Sequence, residues 1–433
     1  MAALNSRPSL HRRFNDTVEG MNADIKPTTH AVEAGALLEL LPARPRMLAL
    51  GEPTHDEDAL LEVRNALFRQ LVEQEGYRTI AIESDCLAGL VVDGYVTSGA
   101  GTLDDVMERG FSHGWGASAA NRALVRWMRE HNDDRPASEH VRFAGFDGPL
   151  EITHAASPRH ALSALHDYLA VCVDTDLMPC TASALDDLLG ADAPWTEPAA
   201  MRDPAESVGQ SAEAGRLRLL ADDMVALLDA HRPHAVAATS REAFDRARLY
   251  GRTATGLLRY HHAMADPSPA RMTRLCALRD LMMADNLLAL AERGPVLAHA
   301  QNSHFQREKS SMQMWQGRVE WWSAGALVGD LLGEEYAFVA TALGTLRHHG
   351  VDIPPPDSVE GLLHALPEER CLVDAPRLAT ALGDTRPARR TSPWFGYAPL
   401  DPAHLTTVDA LLFLKDVPRS APAAAARASS GRA

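Results

Sequence analysis

The chain has 433 residues, is 46% hydrophobic and carries a formal net charge of −16. That length admits two or three domains, or one large domain with an insertion, and the apolar fraction suffices for a sizeable core. The acidic balance argues against a nucleic-acid partner, which needs a basic surface for the phosphates, and weakly favours neutral or cationic ligands.

No apolar run approaches the ~20 residues of a membrane span. Met1 to Gly20 is polar, holds Arg12-Arg13 and lacks the apolar stretch of a signal peptide. A cytoplasmic protein without membrane contact is expected. Cys86, Cys172, Cys180, Cys276 and Cys371 are widely spaced and form no CxxC pair, so reduced, buried thiols are expected.

In chain order, residues 1 to about 28 read as a polar lead-in. A helix over Ala31 to Leu41 is stopped by Pro42. The first strand, Met47 to Leu50, runs into Gly51-Glu52 and, three residues on, His55. A helix from about Asp56 to Glu75 follows, closed by Gly76. The second strand, Thr79 to Ile82, ends in Glu83. A helix near Val91, a Gly/Ser/Trp loop and a helix from Asn121 to Glu130 lead to a third strand, Val141 to Phe146, ending at Asp147. Short apolar strands alternating with helices predict a mainly parallel sheet in a three-layer α/β/α core. From about 155 to 290 only helical periodicity is legible, as in Leu217, Leu220, Ala221, Met224, Leu227 and Leu228. The stretch from Ala191 to Ser211 is weakly patterned. The sheet resumes at Pro295 to His299 and Tyr336 to Ala340. The expected organisation is therefore a first α/β part over 29–154, a helical insertion over 155–290, a second α/β part over 291–345, a small α/β unit over 346–416 with a strand at Val408 to Phe413, and a disordered tail over 417–433.

Strand ends of open α/β sheets are where chemistry collects. His55 sits where a strand gives way to a helix. A neutral imidazole there is suited to take a proton from water near neutral pH; a helix-entry histidine bonded to backbone is the plainer reading. Glu52 and Glu83 end apolar runs where a lone charge is costly; each orients His55, caps a helix or pairs with an arginine. Arg64 lies within the stripe Leu60, Leu61, Leu67, Phe68, Leu71, Val72. A buried arginine needs a carboxylate, and Glu52 and Glu83 are the candidates. Arg279 and Asn286 interrupt the stripe Met272, Leu275, Cys276, Met283 in the same way. They either line a cleft or tie the insertion to the sheet. The run His299-Ala-Gln301-Asn302-Ser-His304 places His299 and Gln301 on one strand face and His304 at the strand's end. His113 and Trp115 in the loop, and Asp147, are candidate substrate contacts. The adjacent pairs His261-His262 and His348-His349 point different ways on a helix and spell no metal site. A GxSxG elbow is absent, so a serine nucleophile of that kind has no support.

The ordered set Gly51-Glu52 with His55, Arg64, Ile82-Glu83-Ser84, Gly145-Phe146-Asp147, Arg279-Asp280 with Met283-Ala284 and Asn286, Asn302-Ser303-His304, Gly333 with Tyr336, and Phe395 to Phe413 resembles the erythromycin esterase family, which includes succinoglycan-biosynthesis proteins. The resemblance implies an α/β core with a helical insertion and a small extra domain, and lactone-ester hydrolysis in the resistance members. It also implies a general-base role for the residue matching His55, with the matches of Glu52, Arg64, Glu83 and His304 lining the cleft. One departure stands out. Resistance enzymes read His-Asn-x-His at the strand end, and this chain reads Gln301-Asn302-Ser303-His304. Glutamine cannot shuttle a proton at neutral pH, and strand rise leaves His299 roughly 6–7 Å from that position.

Two functions follow. The first is an ester or lactone hydrolase for a bulky, largely apolar small molecule: Glu52 orients His55, Arg64 and Glu83 form a supporting ion pair, and His304 protonates the leaving alkoxide. The second is a biosynthetic enzyme using the same groups for cyclisation, acyl transfer or elimination. Glu52, His55, Glu83 and His304 are also metal-ligand types, but Arg64 beside them disfavours a cation, and no metal or cofactor is expected. A degenerate, ligand-sequestering protein is the non-enzymatic reading.

Overall fold

Alternation decides which side of the sheet each strand residue faces. Leu48, Leu50, Ile80, Ile82 and Leu297 pack with Leu60, Leu67, Phe68, Leu124 and Met128 on one face. Met47, Ala49, Ala81, Ala298 and Ala300 pack with Met283, Leu287 and Phe305 on the other. A sheet buried on both faces requires helices on both, which gives the expected layered α/β arrangement. The computed structural model describes residues 25–419 except 152, 153, 315, 316 and 393. The expectations for residues 1–24 of the polar lead-in and for most of the tail lie outside them, and at the end of the lead-in Ile25 is buried and Lys26–Thr28 forms a 3₁₀ turn.

The strands are β1 Thr29–His30, β2 Met47–Glu52, β3 Thr79–Asp85, β4 Arg142–Asp147, β5 Leu150–Glu151, β6 His154–Ala155, β7 Val296–Gln301, β8 Lys309–Met314, β9 Gly317–Trp322, β10 Tyr336–Thr345, β11 Arg370–Asp374 and β12 Ala410–Asp416. Eight form one sheet in the order β1-β11-β12-β10-β2-β7-β3-β4, and β5-β6 and β8-β9 are separate two-stranded pieces. Pairing is parallel from β12 through β4 and antiparallel at β11/β12 and β1/β11. The stretch expected as a small unit of its own therefore contributes β11 and β12 to the main sheet. The cause is the apolar runs Cys371 to Val373 and Ala410 to Phe413, which are buried, the second paired with β10 and the first with the second.

The helix Asp58–Glu75 buries Leu60, Leu61, Leu67, Phe68, Leu71 and Val72. It ends at Gly76, whose φ of 70° lets its N–H reach Leu71 O. Between β6 and β7 the chain is helical, with a core of its own around Leu165, Leu217, Met224 and Leu258. Within it, the weakly patterned stretch holds three short 3₁₀ turns, Pro198–Met201, Pro204–Glu206 and Val208–Gln210. The last helix of this region, Arg271–Ala291, returns to the sheet. All five cysteines are free; Cys86, Cys172 and Cys371 are buried, whereas Cys180 and Cys276 are only partly so. No described helix is long and apolar enough to cross a membrane.

Gly51 sits in a tight approach beside Glu52. A Cβ there would lie 2.2 Å from Asn302 Oδ1, and Asn302 is fixed by bonds to Thr341 O (2.8 Å) and from Thr341 N (3.1 Å). Gly51→Ala is expected to cost about 1–3 kcal/mol by overpacking, read as a lower urea midpoint, and to disturb Glu52 beside it.

Candidate active site

The C-terminal ends of β2, β7, β3 and β4 are neighbours in the sheet, so their last side chains meet. On the face of the Asp58–Glu75 helix, Glu52 is shared by two histidines. Its Oε1 lies 2.7 Å from His55 Nδ1 and its Oε2 3.1 Å from His299 Nε2. Glu52 and His299 are buried, whereas the His55 side chain is 38% exposed. Burial, which disfavours the carboxylate, is outweighed by the two histidines, and the Glu52 pKa falls to about 2. For His55, burial pulls the pKa down, but the charge of Glu83 and the bond and charge of Glu52 raise it to about 9.

On the opposite face Glu83 closes a second network. Its Oε1 faces Arg279 Nη2 (3.0 Å) and His304 Nε2 (3.3 Å), and its Oε2 accepts from the Gln301 backbone N–H (2.9 Å). Arg279 also grips Asp147 (Nη2 to Oδ2, 2.7 Å). His304 Nδ1 donates to Asp280 Oδ1 (2.8 Å), whose other oxygen accepts from Ala324 N–H. Against burial, Asp280 and Glu83 lift the His304 pKa to about 10, so the ring is an imidazolium with both nitrogens donating. Burial raises the Glu83 carboxyl, but His304, His55 and Arg279 bring it well below the ordinary range.

The expected ion pair between Arg64 and Glu83 is replaced by Arg279–Glu83. Ile82 and Ser84 flank Glu83, so alternation turns its carboxylate away from the face that Arg64 occupies. Arg64 is fully buried and its hydrogen bonds go to amide oxygens, Asn65 Oδ1 (3.1 and 2.8 Å) and Asn121 Oδ1 (2.7 Å). Its Nη1 has no hydrogen-bond partner among the described residues. Burial lowers its pKa to about 10 against the pull of Glu52 and Asp58. Arg279 ties the helical insertion to the sheet through Asp147 and Glu83.

Trp115 is buried and meets the His55 ring edge-on, with centroids 5.4 Å apart. His113 bridges Asp147 Oδ2 (3.1 Å) and Glu151 Oε2 (2.8 Å). Among the described residues the only non-glycine residues at positive φ are Asp56 (66°) and His113 (54°); both border this site, where backbone strain tends to be kept. The Gln301 side chain accepts from Ser303 Oγ.

The sequence assigns Asp280 no role beyond its place in the family pattern, and it does not point to Glu151 or to the His299–Glu52 contact. Asp280 had a signal, since it lies four residues after Cys276 and three before Met283 on the apolar stripe. His348 and His349, expected to diverge, both reach Glu57 Oε1, at 2.8 and 3.4 Å. The ligand atoms of these three lie within 4.8 Å of one another, a convergence on Glu57 that the divergent reading of the histidine pair does not anticipate.

The model of the erythromycin esterase family matches residues 72–417. This chain belongs to that family. Glu83, Asp147, Arg279 and His304 fall within the match, while Glu52, His55 and Arg64 precede it. An Escherichia coli erythromycin esterase type II is 27% identical over 153 residues, and the match spans about a third of each protein (33% and 35%). Three solved structures share the family fold. A Bacillus cereus protein has a TM-score of 0.67 at 16% identity, covering 93% of this chain and 97% of that one. A succinoglycan biosynthesis protein has 0.64 at 15%, covering 92% and 97%. A mutant of the erythromycin esterase EreC in its open conformation has 0.63 at 16%, covering 88% and 92%.

Proposed function

We propose that the protein hydrolyses an ester or lactone of a bulky, largely apolar small molecule, with His55 as general base. The observation that carries this reading is the pairing of one solvent-reachable imidazole with a buried carboxylate: Glu52 fixes His55 Nδ1 at 2.7 Å, which directs Nε2 to the water. His55 Nε2 takes one proton from water, the hydroxide adds to the carbonyl carbon, and the tetrahedral oxyanion collapses with cleavage of the C–O bond. The leaving alkoxide takes that proton back from His55, because both N–H groups of the cationic His304 are engaged by Asp280 and Glu83, and His304 contributes its positive charge to the cleft. Arg64, wholly buried, acts through its positive field rather than by contact. Trp115 fixes the plane of the His55 ring. His113, Asp147 and Arg279 form the opposite wall and position substrate, Asp147 and Arg279 through His113 and Glu83, while Gln301 positions it from the end of β7.

Family membership supports hydrolysis as the reaction class. Product mass tests it. Incubation with macrolides and simple esters is expected to add one water to a substrate, whereas cyclisation or acyl transfer adds none. Because the base works unprotonated, kcat/KM is expected to rise with pH along a limb centred between histidine's ordinary 6.5 and about 9. A limb at or below 6.5 contradicts the assignment.

A further inference from the structure

We infer that His299 holds a proton against the second oxygen of Glu52, so that His55, Glu52 and His299 work as one unit in which His299 sets the basicity of His55. His299 Nδ1 is 3.0 Å from the Leu50 carbonyl oxygen. A carbonyl only accepts, so Nδ1 carries hydrogen. Nε2 lies 3.1 Å from Glu52 Oε2 in a site where both residues are buried. A neutral ring protonated on Nδ1 would aim its Nε2 lone pair at a carboxylate. Two buried acceptors at that distance repel, and neither would have a donor. One proton therefore lies between them, as imidazolium against carboxylate or as neutral ring against carboxylic acid; the count is the same.

The surroundings suit a shared proton. Burial opposes charge on either partner and leaves the His299 pKa below its ordinary value even against the pull of Glu52; the geometry, with hydrogen already on Nδ1 and two acceptors facing each other, is what points to the shared proton. The titratable groups facing the pair are Arg64 from the Asp58–Glu75 helix, which opposes a positive His299, and His55 on the far oxygen of Glu52. Leu50 and Ile82, the register neighbours of His299 on either side, are apolar.

The consequence falls on His55. An uncompensated Glu52 carboxylate would hold it as imidazolium, the wrong form for a base. With the His299 proton cancelling much of that charge, Glu52 still fixes the His55 tautomer while a larger share of the ring stays neutral near pH 7. His299 is thus a positioning residue. The functional half of this inference rests on His55 being the base, and the proton count does not.

Two measurements separate these halves. In the wild-type protein labelled with ¹⁵N-histidine and ¹³C-carboxyl glutamate, assigned against His299→Leu and Glu52→Gln, NMR at pH 7 is expected to show either an imidazolium opposite an ionised Glu52 or a neutral ring opposite a protonated one. A neutral His299 opposite an ionised Glu52 overturns the inference, whatever the enzyme's activity. In His299→Leu, the acid limb of kcat/KM is expected to move to higher pH, with activity at pH 7 about tenfold lower and the plateau above the limb kept within about threefold. An unmoved limb with a lowered plateau assigns His299 a merely structural role and overturns the functional half.

Discussion

Replacing His55 with asparagine is expected to lower kcat/KM by about 10²–10⁴-fold, the usual contribution of a general base, with thermal stability nearly unchanged. Asn retains an amide N–H that can meet Glu52 but has no group to take a proton near neutral pH. The small effect on stability follows from position: His55 is the most exposed member of its network, and Glu52 keeps its bond to His299 when the ring is gone. Parallel kinetics and thermal melts on the two proteins make the test. Full activity in the variant removes His55 from the base's role.

Arg279→Met should produce the largest loss of stability of any single change at the site, about 3–5 kcal/mol, as when one partner of a buried ion pair is removed. Arg279 faces Glu83 and Asp147 together, and both carboxylates are buried. Burial alone would suppress the Arg279 charge, but Asp147 and Glu83 outweigh it and raise its pKa above the ordinary value. Without the guanidinium, two interior carboxylates share His113 and His304 as their remaining cationic partners. Urea unfolding should show a much lower midpoint, and adding Asp147→Asn should recover part of the loss by removing one of the stranded charges. A midpoint like that of the wild type would mean the cluster contributes little to the fold.

How far the sequence carries is visible in particular residues. The strands that meet at the site were legible because Met47 to Leu50, Thr79 to Ile82 and Val296 to His299 are short apolar runs ending in polar groups, and a doubly buried parallel strand has that pattern. The β8–β9 hairpin was not, because its strands are largely exposed: among the described residues Ser310, Val319 and Trp321 are its only buried ones, too few to impose a period. The wrong partner for Arg64 has a different cause. Spacing shows that a cation is buried, but its partner depends on which sheet face each strand presents, and Glu83 lies one pleat out of phase with Ile82. His299 reaches Glu52 because β2 and β7 are adjacent with Glu52 opposite Gln301, so the residue two back along β7 lies diagonal to Glu52 on the same face. That register is a tertiary fact which neither strand encodes alone.

In the proposed reaction a water activated by His55 attacks the carbonyl directly. The most direct test is turnover of an ester or lactone substrate in H₂¹⁸O, followed by mass spectrometry of both product and protein. One ¹⁸O is expected in the new carboxyl group, none in the released hydroxyl, with no adduct on the protein and loss of the reaction in His55→Asn. An acylated protein, label in the hydroxyl, or a product of unchanged mass would contradict it.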